Sequence, residues 1–290
     1  LMLWLGIYFP NLRVEIESKE LRALKKEHHK LPLVIRDNNC VVSTNNIARK
    51  LGISKGISAA TAYSILPQAI YREQNILKEM EYLRTLAATF YEYTPSISVH
   101  GSSSILLEAE GSINLFNGAD NFLKYIEKKC ASLKHEATIK IAKTPLEALL
   151  LAESQETCIE DVSLYYIDQY IPREDKNQKN LCERLSEIGV KRIGELLHFP
   201  RKELGYRFGK EIVHFLSELI DGTDTPQKNV LPLMLFDEKI ELPYSISEKN
   251  NLEPVLARLL EKLEHWLFIR KKTTNQIIWY FSSSEKNKKK

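Results

Sequence analysis

A hydrophobic-glycine-hydrophobic turn between two short predicted helices is the clearest pattern in the chain that could do chemistry. The turn consists of Ile188, Gly189 and Val190, and the cations Lys191 and Arg192 follow it directly. Glycine permits a tight turn that leaves backbone N–H groups free at the start of a helix, where they can bind a phosphate. The pattern therefore predicts a helix-hairpin-helix element that contacts the phosphate backbone of DNA without reading its sequence.

The same residues are compatible with a purely structural turn. A plain helical hairpin with an exposed Lys-Arg pair would show this pattern too. Gly194, four residues after Val190, would allow either close packing or the approach of a ligand backbone. We count Gly194 among the predicted DNA-contacting residues.

A second informative stretch is GSSSILLE at residues 101–108, because it places hydroxyl groups at the start of a predicted strand. Hard divalent cations such as Mg²⁺ are held by carboxylates, and a neutral serine hydroxyl is a poor substitute. The four cysteines and seven histidines show no metal-ligand spacing either. We therefore expect no metal site and no cofactor.

Composition indicates an ordinary globular protein. A chain of 290 residues exceeds a typical single core and should form two or more domains. The net charge of +3 excludes a strongly basic coat for nucleic acid, so any DNA contact must be a local patch. Scattered cysteines and the lack of any apolar stretch of about 18 residues predict a cytoplasmic protein that does not span a membrane.

Periodicity predicts strands that alternate with helices, which is typical of an α+β fold. The apolar run LMLWLGIYF predicts a buried strand, and PLVIRDNNCVVST predicts a hairpin. Further strands are expected near residues 95–109, 138–143, 164 and 273–284, and helices at residues 77–94, 120–133, 144–154 and 251–272.

Several motifs resemble the Y-family translesion DNA polymerases. The segments at residues 41–68 (VVSTNNIARKLGISKGISAATAYSILPQ) and 91–100 (YEYTPSISVH) are similar to that family's fingers and palm. WLGIYFP near the start, EGSINLFNGADNF at residues 110–122 and IAKTPLEALLLA at residues 141–152 resemble most closely its ImuB-type branch of mutagenesis accessory proteins. The resemblance runs from residue 3 to about residue 282.

The resemblance implies a right-handed polymerase architecture. Residues 1–20 and 76–163 would form the palm, and residues 21–75 the fingers. A helical helix-hairpin-helix thumb would span residues 164–230, and a partial little finger residues 231–290. Because only the first half of the family's little finger is recognisable, we expect a chain that is truncated at its C-terminus.

The resemblance also implies that the catalytic carboxylates are lost. Transferred residue by residue, their positions fall on Trp4, Gly6, Ser103 and Ser104, none of which is acidic. A two-metal mechanism is not expected at these positions, so the chain is predicted to be a pseudoenzyme rather than an enzyme.

Other residues of the family's nucleotide site are partly kept. The fingers tyrosine falls on Asn46 and the palm lysine on Pro145, which offers neither an ammonium nor an N–H group. Arg49 is retained and is either a vestigial nucleotide-binding residue or a solvated helix charge. Tyr8 and Phe9 stand where the family screens the sugar 2′ position, and a core role is the other interpretation.

These observations predict a noncatalytic DNA-binding adaptor in translesion synthesis and the SOS response to DNA damage. By resemblance its partners would be DNA, an error-prone replicative-type polymerase, a RecA-like accessory protein and the sliding clamp. One alternative is an active translesion polymerase with displaced carboxylates, for example Glu108, Glu110 or Asp161. Another is a decayed, truncated gene product.

Overall fold

The computed structural model of the protein describes residues 3–24, 31–171, 181–222, 236, 238–240, 252–269 and 272–281. They fall into two units, residues 1–230 and 231–290, which are described separately. The strands of the first unit are β1 (Trp4–Tyr8), β2 (Leu33–Asp37), β3 (Cys40–Thr44), β4 (Ile70–Glu73), β5 (Ile97–His100), β6 (Ser104–Glu108) and β7 (Thr138–Ala142). Its helices are α1 (Leu12–Leu24), α2 (Asn46–Lys50), α3 (Ala59–Ile65), α4 (Ile76–Ala88), α5 (Glu110–Ile113), α6 (Ala119–Ser132), α7 (Pro145–Ser154), α8 (Leu181–Glu187), α9 (Ile193–Leu197), α10 (Arg201–Phe208) and α11 (Lys210–Asp221).

The larger sheet has the antiparallel order β5-β6-β1-β7, which places the predicted apolar strand β1 in its interior. Alternate side chains of this strand point to one face, where Leu5 and Ile7 are fully buried against α4 and α6. Phe90, just after α4, and Phe122 of α6 fill the same core. The prediction of a buried strand at LMLWLGIYF is therefore confirmed.

Helix α7 covers the other face of this sheet. Its first turn begins with Pro145 and is capped by Thr144, whose Oγ1 accepts a hydrogen bond from the Glu147 N–H at 3.2 Å. The helix lies so close to β1 that a Cβ placed on Gly6 would sit 2.2 Å from the Ala148 carbonyl oxygen. Gly6 is therefore required for this helix to approach the strand.

The smaller sheet has the order β3-β2-β4, in which β2 and β3 form the predicted hairpin and β4 joins in parallel. The hairpin turn holds Asn38 at φ +50°, a conformation that asparagine tolerates better than most residues. Helix α2 starts after Asn45, whose side chain accepts from the Ala48 N–H at 2.9 Å. This polar cap fixes the helix that carries Arg49.

Helices α8 to α11 share a core with α7. Leu185, Ile193, Phe215 and Leu216 belong to the same buried cluster as Leu149. The two short helices predicted around the glycine turn are α8 and α9, and that prediction is confirmed. Because one core joins these helices to α7, the turn and the larger sheet are parts of one folded unit.

Two predicted strands are wrong. Residues 164–166 form a 3-10 turn, because this segment lies against the helical hairpin rather than beside a strand. Residues 272–281 form no strand, and Ile278 and Tyr280 are 63% and 88% exposed, so this stretch has no strand beside it among the described residues. The helix that precedes it, α12 (Glu253–Ile269), is confirmed.

Other predictions for the second unit fall on positions outside the described residues. They include most of residues 231–251 and all of residues 282–290, which belong to the partial little finger predicted from the sequence. The division into palm, fingers, thumb and partial little finger remains a prediction. Within the described ranges, no helix is both long and apolar enough to cross a membrane.

Candidate active site and DNA-contact turn

The sheet register separates two groups of residues that the sequence predicts to lie together. Ser104 pairs with Tyr8, and the Phe9 N–H donates to the Ser103 carbonyl at 2.9 Å, so both serines lie at the Tyr8 end of β1. Trp4 pairs with Glu108 at the opposite end of the strand. Four residues of strand separate these ends by about 13 Å. The predicted grouping of Trp4 with Ser103 and Ser104 is therefore wrong.

Pro145 is also distant from the serines. It starts α7 just after β7, at the same end of the sheet as Trp4, because Trp4 pairs with Ala142. Eight residues of helix separate it from Glu153, which corresponds to about 12 Å. Pro145 therefore does not take the place of a lysine beside Ser103 and Ser104.

The sequence reasoning missed Glu153, an acidic residue at the serine end of the sheet. It lies in the last turn of α7, and its Oε1 accepts from the Ser104 hydroxyl at 2.7 Å. Its Oε2 accepts from the Tyr170 hydroxyl at 2.9 Å and from the Gln169 side-chain amide. We call Tyr8, Ser104, Glu153, Gln169 and Tyr170 the serine corner. The sequence signal that could have identified Glu153 is its position as an acidic residue at the end of the apolar run PLEALLLAE.

Burial sets the protonation of the serine corner. It raises the pKa of the Glu153 carboxyl, and the hydrogen bonds from Ser104, Tyr170 and Gln169 oppose this rise without cancelling it. Burial and the nearby Glu153 also raise the pKa of Tyr8 and of Tyr170. The corner thus holds a carboxyl that takes up a proton more readily than an exposed glutamate does.

Arg13 brings a positive charge close to this corner. Its Nε lies 2.8 Å from the carboxylate of the buried Glu79, and its Nη2 donates to the Ser102 hydroxyl at 3.0 Å. Gln74 also donates to Glu79, at 3.1 Å. These contacts tie α1 and α4 to the turn between β5 and β6. The Arg13 charge counteracts the rise in the pKa of Tyr8.

The donors at the serine corner do not fit the two divalent ions that the family's mechanism implies. The corner offers one carboxyl group, which already accepts three hydrogen bonds, and otherwise hydroxyl and amide groups. Across the described ranges, no group of three or more His, Cys, Asp or Glu side chains could hold a metal ion. We therefore assign no residue a metal-binding role.

The displaced carboxylates considered from the sequence are elsewhere. Glu108 ends β6 beside Trp4 and accepts from the Gly111 N–H at 3.1 Å. Glu110 begins α5. Asp161 pairs with Arg192, with 2.9 Å between Oδ1 and Nη1. None of these three residues reaches Ser104.

The retained residues of the predicted nucleotide site lie on different elements. Arg49 and Asn46 are exposed on α2, beside the smaller sheet. Phe9 is fully buried in the core of the larger sheet, which confirms the core interpretation for that residue. Tyr8 lies on the opposite face, at the serine corner.

The predicted DNA-contact turn has the expected backbone shape but no free N–H groups. Gly189 has φ +89°, and its N–H donates to the Ser186 carbonyl at 3.0 Å. The Val190 N–H donates to the Leu185 carbonyl at 3.1 Å. The Lys191 N–H donates to the Glu195 carboxylate at 2.7 Å, and the Arg192 N–H donates to the same carboxylate at 3.4 Å.

The proposed way in which this turn binds phosphate therefore needs correction. The prediction that backbone N–H groups of the turn donate to a phosphate is wrong, because protein oxygens already accept from them. This holds for the N–H groups of Gly189, Val190, Lys191 and Arg192. Ile188 also donates internally, to the Leu185 carbonyl at 3.2 Å, and its side chain is 49% exposed. Any contact with DNA must come from side chains.

Gly194 serves packing within the protein. A Cβ at this position would lie 2.8 Å from both the Cβ and the carbonyl oxygen of Glu160. The glycine thus allows the 3-10 turn Ile159–Asp161 to lie against α9. Approach of a ligand backbone at Gly194 is excluded in this arrangement.

Sequence comparison now defines the class of protein. The impB/mucB/samB family matches residues 8–153, from the serine end of β1 to Glu153. This range is half of the chain, and the chain belongs to this family of Y-family DNA polymerase-like proteins.

Two relatives illustrate the similarity. DNA polymerase IV of Dehalococcoides mccartyi is 24% identical over 232 residues, covering 77% of this chain and 59% of that protein. DNA polymerase IV of Saccharolobus solfataricus is 22% identical over 240 residues, covering 82% of this chain and 62% of that protein. The chain thus spans less than two thirds of the length of either relative.

Solved structures confirm the fold. DinB from Sulfolobus solfataricus superposes with a TM-score of 0.55 at 20% identity, covering 79% of this chain and 70% of that one. A Dbh ternary complex superposes with a TM-score of 0.53 at 19% identity, covering 91% of this chain and 80% of that one. The predicted α+β, Y-family polymerase-like fold is therefore confirmed.

The comparisons also correct the prediction that the chain is a pseudoenzyme. The relatives aligned along most of it are named as a DNA polymerase, so the prediction is contradicted. The residue-by-residue transfer behind that prediction is corrected in two places, because Trp4 lies at the far end of β1 from Ser103 and Ser104 and because Glu153 was overlooked.

Proposed function

We propose that the chain binds primer–template DNA and acts in DNA damage tolerance as a translesion polymerase of the Y-family type. The observation that carries this proposal is the family match over residues 8–153, which includes β5, β6 and β7 of the larger sheet and begins at Tyr8, the last residue of β1. The names of the aligned relatives support the same class. Of the alternatives drawn from the sequence, the names of these relatives support an active translesion polymerase.

We propose that Glu153 is the acid of this site and that it acts by taking up a proton, not as a metal ligand. Its Oε1 accepts a hydrogen bond from Ser104 at the start of β6, and burial raises the pKa of its carboxyl above the ordinary value, which favours uptake of a proton. Tyr8 and Ser104 lie beside it and can orient a bound hydroxyl group. The experiment that tests this proposal is primer extension on a primed template.

The finer relationships remain proposals that rest on resemblance. WLGIYFP and EGSINLFNGADNF resemble the ImuB-type branch of accessory proteins, whose noncatalytic role the proposed polymerase activity does not share. The partners implied by that branch are an error-prone replicative-type polymerase, a RecA-like accessory protein and the sliding clamp. Arg49 is proposed as a nucleotide-phosphate contact because its side chain is exposed on α2.

The turn from Ile188 to Gly194 is proposed as a DNA contact through its cationic side chains. Lys191 and Arg192 are both exposed, and Ile188 beside them is half exposed. These groups can reach a phosphate even though the backbone N–H groups cannot. Phosphate contact of this kind carries no sequence information.

Replacing both cations, Lys191→Ala with Arg192→Ala, should weaken DNA binding equally for all sequences. The slope of log affinity against log salt should become shallower by about 1 to 2, because each lost phosphate contact removes about one released counterion. Fluorescence anisotropy of labelled primer–template across a salt series measures this slope.

The matched control removes two exposed lysines of α6, Lys124→Ala with Lys128→Ala. It lowers the net charge by the same amount on a different element. Equal slopes for the two double variants would show that the turn is structural.

A further inference from the structure

A short acidic segment lies across the proposed DNA-contact turn. In the segment at residues 158–164, the Val162 carbonyl accepts a hydrogen bond from the Ile193 N–H at 2.9 Å. The Leu164 N–H donates to the Lys191 carbonyl at 3.0 Å. An isolated β-bridge also joins Ser163 to Arg192. We call residues 158–164 the acidic strap.

The strap and the start of α9 place two carboxylates against the two cations of the turn, those of Asp161 and Glu195. Asp161 Oδ1 lies 2.9 Å from Arg192 Nη1. The Glu195 carboxylate accepts a hydrogen bond from the Lys191 backbone N–H. This hydrogen bond holds the pKa of the Glu195 carboxyl below its usual value. The Cβ and backbone of Glu160 pack against Gly194, and the Glu160 carboxylate accepts from the Cys158 thiol. Carboxylates thus occupy positions that DNA phosphates would otherwise take.

We propose that Asp161 is an autoinhibitory counter-ion, which competes with a DNA phosphate for Arg192 and so lowers the affinity of the turn for DNA. This inference rests on the proposed DNA contact at the same turn. The Arg192 and Asp161 side chains are 59% and 53% exposed, so a phosphate has access to the guanidinium once the pair opens. An ion pair this exposed is weak, and a phosphate backbone can displace it.

Geometry assigns this role to Asp161 rather than to Glu195. The carboxylate of Glu195 is held by two backbone N–H groups, and its removal would disturb the start of α9. The Asp161 carboxylate instead faces the Arg192 side chain. Neutralising Asp161 therefore frees the cation and leaves the hydrogen bonds between strap and turn in place.

Asp161→Asn should raise affinity for primer–template DNA by roughly two- to fivefold, the range expected for an exposed ion pair. The salt slope should steepen by up to about 1, because Arg192 then contacts a phosphate in every complex. Asp221→Asn is the matched control, since Asp221 pairs with Arg201 of α10 at 2.7 Å and the net charge changes equally. Asp221→Asn should raise the affinity for primer–template DNA less than Asp161→Asn does.

A second pair of variants isolates the contact. In an Arg192→Ala background, Asp161→Asn should lose its specific effect and match Asp221→Asn in that background. If Asp161→Asn and Asp221→Asn act equally in the wild-type background, the gain is a general charge effect and the inference is overturned.

Failure of the proposed DNA contact is recognised separately. In that case the Lys191→Ala, Arg192→Ala double variant binds as the parent does. Unchanged affinity of Asp161→Asn, in a protein whose double variant does bind more weakly, contradicts the autoinhibitory role alone.

Discussion

Glu153→Gln should reduce primer extension by at least about 100-fold while leaving DNA affinity unchanged. Glutamine keeps the shape of the side chain but cannot take up a proton, and a positioned acid or base typically contributes about 10²- to 10⁴-fold to a rate. Single-nucleotide incorporation on a primed template measures the rate, and anisotropy measures binding. Glu108→Gln, at the far end of β6, is the control and should extend primers normally.

The same variant should change how stability depends on pH. The folded-state pKa of Glu153 is raised above its ordinary 4.5, so between these two values the folded protein binds more protons than the unfolded chain. Stability contributed by this group is therefore present below pH 4.5 and is lost as the pH rises through the folded-state pKa. Glu153→Gln should flatten this decline. The melting temperature of each protein is measured from acid to neutral pH. If it falls with pH to the same extent in Glu153→Gln as in the unmodified protein, the burial of Glu153 is contradicted.

Gly6→Ala should destabilise the protein by about 3 kcal/mol or more, because overpacking of this severity cannot be relieved by a side-chain rotation. The new Cβ would lie 2.2 Å from the Ala148 carbonyl oxygen and 2.6 Å from its carbon. Both are backbone atoms of α7, so the helix would have to move away from β1. Urea unfolding measures the loss.

Gly111→Ala is the control for this substitution. Gly111 lies in α5 with φ outside the left-handed region, and the nearest atom to an added Cβ is a Glu108 side-chain oxygen at 3.6 Å. Alanine there should be neutral or should stabilise the protein by up to about 1 kcal/mol. If Gly111→Ala lowers the free energy of unfolding as much as Gly6→Ala does, the close packing of α7 on β1 does not depend on Gly6.

The local elements of the larger sheet could be predicted from sequence because their signals are strong. The apolar run at β1 and the Pro145 start of α7 follow directly from burial and from N-terminal helix preferences. The expected strand at residues 273–284 failed for the opposite reason. Its β-forming residues need a neighbouring strand, and periodicity says nothing about whether one is present.

The site could be predicted only in part, because it depends on register and long-range pairing. Residue-by-residue transfer placed a lost carboxylate on Trp4, whereas pairing puts Tyr8 opposite Ser104. The contact between Ser104 and Glu153 spans 49 residues and joins a strand to a helix end. Likewise, nothing in the turn itself shows that Glu195 accepts from its N–H groups.

Template-directed primer extension by the unmodified chain tests the central claim most directly. The assay supplies primed DNA, all four deoxynucleoside triphosphates and Mg²⁺, with binding to the same DNA measured in parallel. The proposal predicts that the primer is extended by nucleotides complementary to the template. A primer that is bound at saturating protein but never extended would contradict it.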